Sequence, residues 1–242
     1  MRWIRIYTDQ MLQTGTQVAL VDTAARHLTQ VLRLRMGDRL SLFNGDGYDY
    51  PAVVSAARKQ QVSVEIDGEP QPRPRPPIPI TLGQAMIKGE RMDWAIQKAV
   101  ELGVSHIAPL ISERVEVRLS GERIDKRLRH WRGVVASACE QCGRADLPEI
   151  SPPQPWHEWA DQSDCSLKLA LVPEAAQPLG KVNLTAPSIA VAIGPEGGWS
   201  DSEAAGWALK SFTPVRLGGL ILRAETAGLA ALAVIQGEVD WA

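Results

Sequence analysis

The chain has 242 residues, of which 45% are apolar and 22% charged, and a formal net charge of −2. That length can bury a sizeable core in one large domain or two, and the composition is ordinary for a globular protein. It excludes a long apolar membrane span, a disulfide framework built from three cysteines, and a uniformly basic nucleic-acid binder.

The balance of charge shifts along the chain. Residues 1–68 carry 8 cations against 7 anions, residues 69–147 carry 13 against 10, and residues 148–242 carry 5 against 11. An interaction with RNA therefore needs a local patch. The opening Met1-Arg2-Trp3-Ile4-Arg5 lacks the apolar stretch of a signal peptide, and a cytoplasmic protein with reduced thiols is expected.

Residues 1–68 read as a small β-rich domain. WIRIY, QVALV, DRLSLF, DYPAVVSAA and QVSVEI are short, partly alternating runs separated by turn signals at Gly15, Gly37-Asp38, Asn44-Gly45 and Asp46-Gly47. A short helix is expected from His27 to Arg35, with Asp22 or Thr23 as its cap and Gly37 as its end. Arg33 and Arg35, with Arg2, Arg5 and Arg39, can track a phosphate backbone; the alternative is a solvated face on a small barrel. Residues 69–79 hold six prolines in eleven positions, so they predict a stiff, extended linker that cannot join a central sheet.

Residues 80–242 alternate strands with longer helices. Strands are expected at Ile80–Ala85, Val104–Ile111, Leu167–Val172 and Ser188–Ile193, and helices at Arg91–Leu102 and Glu122–Glu140. This order argues for a mostly parallel sheet covered on both faces. The run SIAVAI stops at Gly194-Pro195-Glu196-Gly197-Gly198, and Ser200 with Glu203 has capping-box spacing before a further helix. A second break, Leu217-Gly218-Gly219, leads through Leu222-Arg223 into the helix AGLAALAVIQ. Two strand–glycine-loop–helix units side by side make a pocket for a nucleotide-like ligand at the carboxyl ends of parallel strands. The spacing is neither G-x-G-x-x-G nor that of a phosphate-cradling P-loop, and two plain glycine turns are the alternative.

Cys139-x-x-Cys142 has no second ligand pair nearby, so structural cysteines and no metal are expected. His106, within a strand, reads as a core histidine.

Several ordered motifs together resemble the bacterial ribosomal small subunit RNA methyltransferase E family. They are His27-Leu28…Val31-Leu32-Arg33-Leu34…Gly37-Asp38, Lys88-Gly89-Glu90-Arg91-Met92-Asp93-Trp94 with Glu101-Leu102-Gly103-Val104, and Ser112-Glu113-Arg114. Glu140-Gln141-Cys142-Gly143-Arg144, the Gly194–Gly198 loop and Leu217-Gly218…Leu222-Arg223-Ala224-Glu225-Thr226 complete the set. The resemblance implies a PUA-like RNA-binding β-barrel at 1–68, the linker at 69–79, and an α/β SPOUT domain with a trefoil knot at 80–242. It implies a homodimer that uses S-adenosylmethionine (SAM) to methylate N3 of one uridine of 16S rRNA on the 30S subunit, uridine 1498 in the family. A ribose 2′-oxygen or another base as acceptor, and a non-catalytic rRNA-binding assembly factor, are the rival readings.

On this resemblance the SAM pocket comprises Leu171, Val172, Pro173, Gly194, Pro195, Glu196, Gly197, Gly198, Leu217, Gly218 and Leu222. Methyl transfer from a sulfonium needs alignment and a deprotonated acceptor, without a metal. Glu196 is the candidate base and Arg223 the candidate stabiliser of the uridine anion. Each has a structural alternative: a loop carboxylate for Glu196, and a helix-start ion pair with Glu225 for Arg223. Arg2, Arg5, His27, Arg33, Arg35 and Arg144 are the candidate RNA contacts. Leu220 departs from the family, which usually has an arginine there.

Overall fold

The structure, a computed structural model, describes residues 4–58, 61–117 and 120–239. The chain divides into two compact units, residues 1–75 with 139–147, and residues 76–138 with 148–242.

The first unit is a curled sheet. Its strands are β1 (Arg5–Tyr7), β2 (Gln17–Val21), β3 (Arg39–Phe43), β4 (Tyr48–Arg58), β5 (Gln61–Ile66) and the two-residue β6 (Gln71–Pro72). They run in the order β1-β3-β4-β5-β2, with β6 on β4, and only β1 and β3 are parallel. Alternation explains the core: Val18 and Leu20 of β2 and Val62, Val64 and Ile66 of β5 all face one buried cluster with Leu40, Leu42 and Val54. The proline-rich segment corrects the expectation that it stays off the sheet: β6 pairs with β4 for two residues at Tyr48 and Asp49, and residues up to Arg75 count with the first unit.

The first helix corrects the sequence reading. α1 (Asp22–Arg26) follows β2 without a break, and one π-helical turn continues it from His27 to Val31. The chain turns at Arg33, whose φ of 56° is left-handed, so Gly37 does not end the helix.

The second unit is a parallel α/β sheet. Its elements are β7 (Ile80–Ala85), α2 (Glu90–Glu101), β8 (His106–Ile111), α3 (Glu122–Cys142), β9 (Glu149–Ile150), β10 (Gln154–Pro155), α4 (Trp156–Gln162), β11 (Leu167–Leu171), β12 (Ile189–Ile193), α5 (Asp201–Leu209), β13 (Thr213–Val215) and α6 (Ala224–Gly237). The strand order is β10-β8-β7-β12-β11-β13, with β9 also on β8, and every pair is parallel. The last turn of α3 counts with the first unit.

Both faces of this sheet are covered, as β7 shows. A Cβ on Gly83 would meet the Trp159 ring of α4, whereas one on Gly228 of α6 would lie 3.0 Å from Gln84 Oε1. Neighbouring strand residues point to opposite faces, so α4 and α6 lie on opposite sides. On the α4 side, Trp156, Trp159, Trp199, Trp207 and Phe212 stack edge-on and tilted, with centroids 4.6–6.4 Å apart. Gly103 closes α2 at φ 80°, and the Ser200–Glu203 capping box starts α5. No helix of the described residues is long and apolar enough to cross a membrane.

A candidate ligand cavity at three strand ends

β11, β12 and β13 are parallel neighbours, so their carboxyl ends lie side by side, and the loops leaving them enclose one cavity. Leu171, Val172 and Pro173 line it from β11. Ile193, Gly194, Pro195, Glu196, Gly198 and Trp199 line it from β12, and Val215 to Gly218 with Leu220, Ile221 and Leu222 from β13. Ala224 and Ala227 on the first turns of α6 close it. Its volume is about 110 Å³.

The loops are tied to one another. The Trp199 indole N–H donates to the Leu171 carbonyl at 3.0 Å, joining the ends of β12 and β11. Arg114 Nη1 donates to the carbonyls of Gly197 at 2.9 Å and Trp199 at 3.1 Å. Arg216 Nη1 donates to the carbonyls of Ala175 and Ala176, which folds the segment after β11 over the end of β13. Buried Glu203 accepts from the backbone N–H of both Ser200 and Glu113, each at 2.9 Å. Glu196 faces the cavity while Oε1 is ion-paired with Arg91 Nη2 at 2.9 Å and accepts from the Lys88 backbone N–H at 3.3 Å.

Ten of the eleven expected pocket residues line this cavity; Gly197 does not. A Cβ at Gly197 would sit 3.3 Å from Arg114 Cβ, so its bareness serves the approach of that side chain. Gly218 is different: nothing lies within 4 Å of the position a Cβ would take, so its bareness leaves the cavity side of the loop open. Arg223 is the exposed N-cap residue of α6, between the lining residues Leu222 and Ala224. It makes no ion pair with Glu225 among the described residues; Glu225 is buried, and its Oε2 has no hydrogen-bond partner. Leu220 and Ile221 stand exposed on the cavity's lip.

The expected RNA contacts separate into two groups. His27, Arg33 and Arg35 are exposed in the first unit. Arg5 and Arg144 are corrections, because both are buried. Arg5 forks onto Asp49 at 2.7–3.2 Å, donates to the carbonyls of Cys139 and Arg144, and lies 4.4 Å from the Phe43 ring centroid. Arg144 pairs with Asp146 at 2.6 Å. Neither guanidinium is open to a phosphate. Arg2 lies outside the described residues.

Sequence reasoning misses Trp199 as a cavity residue and Arg114 as the side chain that holds the glycine loop. An aromatic directly after two glycines, and the Ser112-Glu113-Arg114 motif itself, are the signals that could have found them. Cys139 is a free, buried thiol whose pKa is pushed up to about 12, chiefly by burial. No group of three or more His, Cys, Asp or Glu among the described residues is arranged to hold a metal. Burial also lowers the His106 pKa, in keeping with its strand position.

Residues 74–236 match the family model for an RNA methyltransferase domain, and residues 20–67 match that for an RNA methyltransferase PUA domain. The ribosomal RNA small subunit methyltransferase E of Buchnera aphidicola subsp. Schizaphis graminum is 32% identical over 233 residues, covering 96% of this chain and 95% of the relative. The ribosomal RNA small subunit methyltransferase E of Neisseria gonorrhoeae, solved bound to S-adenosyl methionine, is 38% identical with a TM-score of 0.89, covering 98% of each chain. A methyltransferase of Legionella pneumophila, solved with bound SAM, is 38% identical with a TM-score of 0.95 and the same coverage.

Proposed function

Because the chain belongs to the ribosomal RNA small subunit methyltransferase E family, we propose that it transfers a methyl group from SAM to N3 of one uridine in the 16S rRNA of the 30S subunit. The observation that carries this reading is the glycine-walled cavity at the ends of β11, β12 and β13, within the unit that matches the methyltransferase domain. The cavity suits the donor. Apolar Leu171, Val172, Leu222 and Ala227 offer contacts to an adenine, and the bare backbone at Gly194, Gly198 and Gly218 can approach a ribose. SAM supplies an electrophilic methyl group on a sulfonium, so the reaction calls for no metal.

The chain's own residues supply alignment and charge. Glu196, anchored by Arg91, is the group proposed to take the N3 proton. Arg223, exposed at the cavity's edge without an acidic partner among the described residues, is proposed to stabilise the negative charge left on the base oxygens. Leu220 stands where the family usually has arginine, so an RNA contact or loop ordering made by that arginine is proposed to fall here to Arg216 or Arg223. Residues 1–68 are proposed to hold the RNA through His27, Arg33 and Arg35, and 80–242 to carry out the transfer as a knotted SPOUT homodimer in the cytoplasm.

The test is to incubate the protein and SAM with 30S subunits from a strain lacking the enzyme, then digest the rRNA and identify the methylated nucleoside by mass. 3-Methyluridine is the expected product. A 2′-O-methylated or other base-methylated nucleoside would move the chemistry to another atom. SAM binding without any methylated product would make the protein a binding factor.

A further inference from the structure

Glu196 stands in the wall between two hollows. One is the strand-end cavity; the other is a recess lined by Glu113, Arg114, Val115, Glu116, Glu196 and Gly197. Of all the residues lining these two, only Glu196 lines both. Group transfer needs donor and acceptor subsites that adjoin, because the reacting atoms must come within about 3–3.5 Å of each other.

One guanidinium pairs with this carboxylate, and a second is held on the backbone of the next residue. Arg91 is ion-paired to its Oε1, and Arg114 is anchored by Nη1 on the carbonyl of the next residue, Gly197. The anchoring leaves Nε and Nη2 of Arg114 and Oε2 of Glu196 without a hydrogen-bond partner among the described residues. The recess thus sets the free Glu196 oxygen near the Arg114 guanidinium, the one cation on its wall among the described residues. Uracil's Watson–Crick edge is the complement: the N3–H donor lies between the O2 and O4 acceptors. Cytosine would instead set the N3 lone pair against the carboxylate and an amino donor against a guanidinium. Glu113 and Glu116, also on the recess wall, make it unfavourable for a phosphate and leave it to a neutral base. Glu116 itself is ion-paired to Lys88.

We propose that this recess is the acceptor subsite, taking a flipped-out uracil by its Watson–Crick edge, with Glu196 receiving N3–H and Arg114 donating to a base oxygen. This deepens the function proposed above and rests on it. In the balanced step, the N3 proton passes to Glu196 and the N3 electron pair forms the new N–C bond. The donor's C–S bond breaks with its pair remaining on sulfur.

The experiment compares wild type with Glu196→Gln, a variant whose Oε1 still accepts from the Lys88 backbone N–H. Donor affinity is measured by calorimetry with SAM. Acceptor affinity is measured on 30S subunits lacking the modification, and on the same subunits with the target uridine replaced by cytidine. SAM affinity should stay within about twofold, while methylation falls by about 10²-fold or more, as expected when a general base is removed. The preference for uridine over cytidine should shrink at least about tenfold, since a carboxamide can donate to cytosine N3. A variant that methylates at the wild-type rate, keeps the full uridine preference, or loses SAM affinity overturns the subsite. Wild-type protein that neither binds SAM nor methylates 30S subunits overturns the functional reading as well.

Discussion

The indole N–H of Trp199 lies 3.0 Å from the carbonyl oxygen of Leu171, a residue 28 positions earlier, and this bond joins two of the three strand ends that form the cavity. The same ring packs against Trp156 and Trp207, so the cavity wall is continuous with the aromatic core of the second unit. Trp199→Phe removes the donor together with part of the buried ring, so a small void is added to the lost bond. It should cost at least about 0.5–1.5 kcal/mol of stability in thermal or urea unfolding, the usual worth of one hydrogen bond, with the void adding to it. SAM affinity, measured by calorimetry, should fall with it by up to about tenfold. Wild-type stability and affinity in the phenylalanine variant would show that the bond holds nothing in place.

The two glycine loops should respond differently to a methyl group. Gly218→Ala meets no protein atom within 4 Å, so its melting temperature without ligand should equal wild type, while SAM affinity drops about tenfold, or ~1.4 kcal/mol. Gly197→Ala presses on Arg114 at 3.3 Å and should lower the ligand-free melting temperature. Reversed responses would mean that Gly197, and not Gly218, faces the ligand.

The arginines of the first unit should separate stability from RNA binding. Arg5→Ala leaves buried Asp49 with only the longer ion pair to Arg73 at 3.6 Å and should cost up to about 3–5 kcal/mol, and Arg5→Lys also destabilises because an ammonium cannot reproduce the fork. Arg33→Ala with Arg35→Ala should instead leave the unfolding midpoint nearly unchanged. That double variant should weaken binding to 30S subunits and flatten its salt dependence, by up to about 0.9 log units per log unit of salt for each duplex phosphate no longer neutralised. A wild-type salt slope would move RNA binding off this face.

The Cys139 thiol should be inert in the folded protein. With a pKa of about 12, raised by burial, about one thiol in ten thousand is ionised at pH 8. Alkylation at pH 8 followed by peptide mass mapping should leave Cys139 unmodified until denaturant is added. Moving to pH 9 raises the thiolate fraction about tenfold and should still give no appreciable labelling. Rapid native alkylation of Cys139 would contradict its burial.

What can be read from the sequence is what local spacing determines. Ser200 with Glu203, Gly103 after α2, and the apolar runs of β7 and β12 all act within a few residues of themselves, and the structure keeps them. The glycine loops point to the cavity for the same reason. Roles set by distant partners are not legible. Arg5 finds its acceptors 44, 134 and 139 positions away, so nothing near it in sequence distinguishes a buried fork from a phosphate contact. Gly197 reads like Gly218 until Arg114, 83 residues earlier, is seen against it. The extent of the first helix escapes the sequence because the chain turns there at a left-handed arginine, a conformation that composition does not announce. The tryptophan-rich α4 also goes unread, although Pro155 stands directly before it.

The discontinuity of the first unit has a consequence for biosynthesis. Its segment 139–147 supplies the Cys139 and Arg144 carbonyls to Arg5, the Ala145 carbonyl to the Gly47 N–H, and a bridge from Asp146 to Gly45 and Asp46. Between Arg75 and Cys139 lie residues 76–138 of the other unit. At about 5–20 residues per second, a translating ribosome takes roughly 3–13 s to synthesise that interval. Until then the nascent amino-terminal sheet holds Arg5 and Asp49 without the two carbonyls that complete their site. The amino-terminal unit therefore cannot finish before residues 76–138 have been made, and its maturation is timed by the emergence of the segment that follows them.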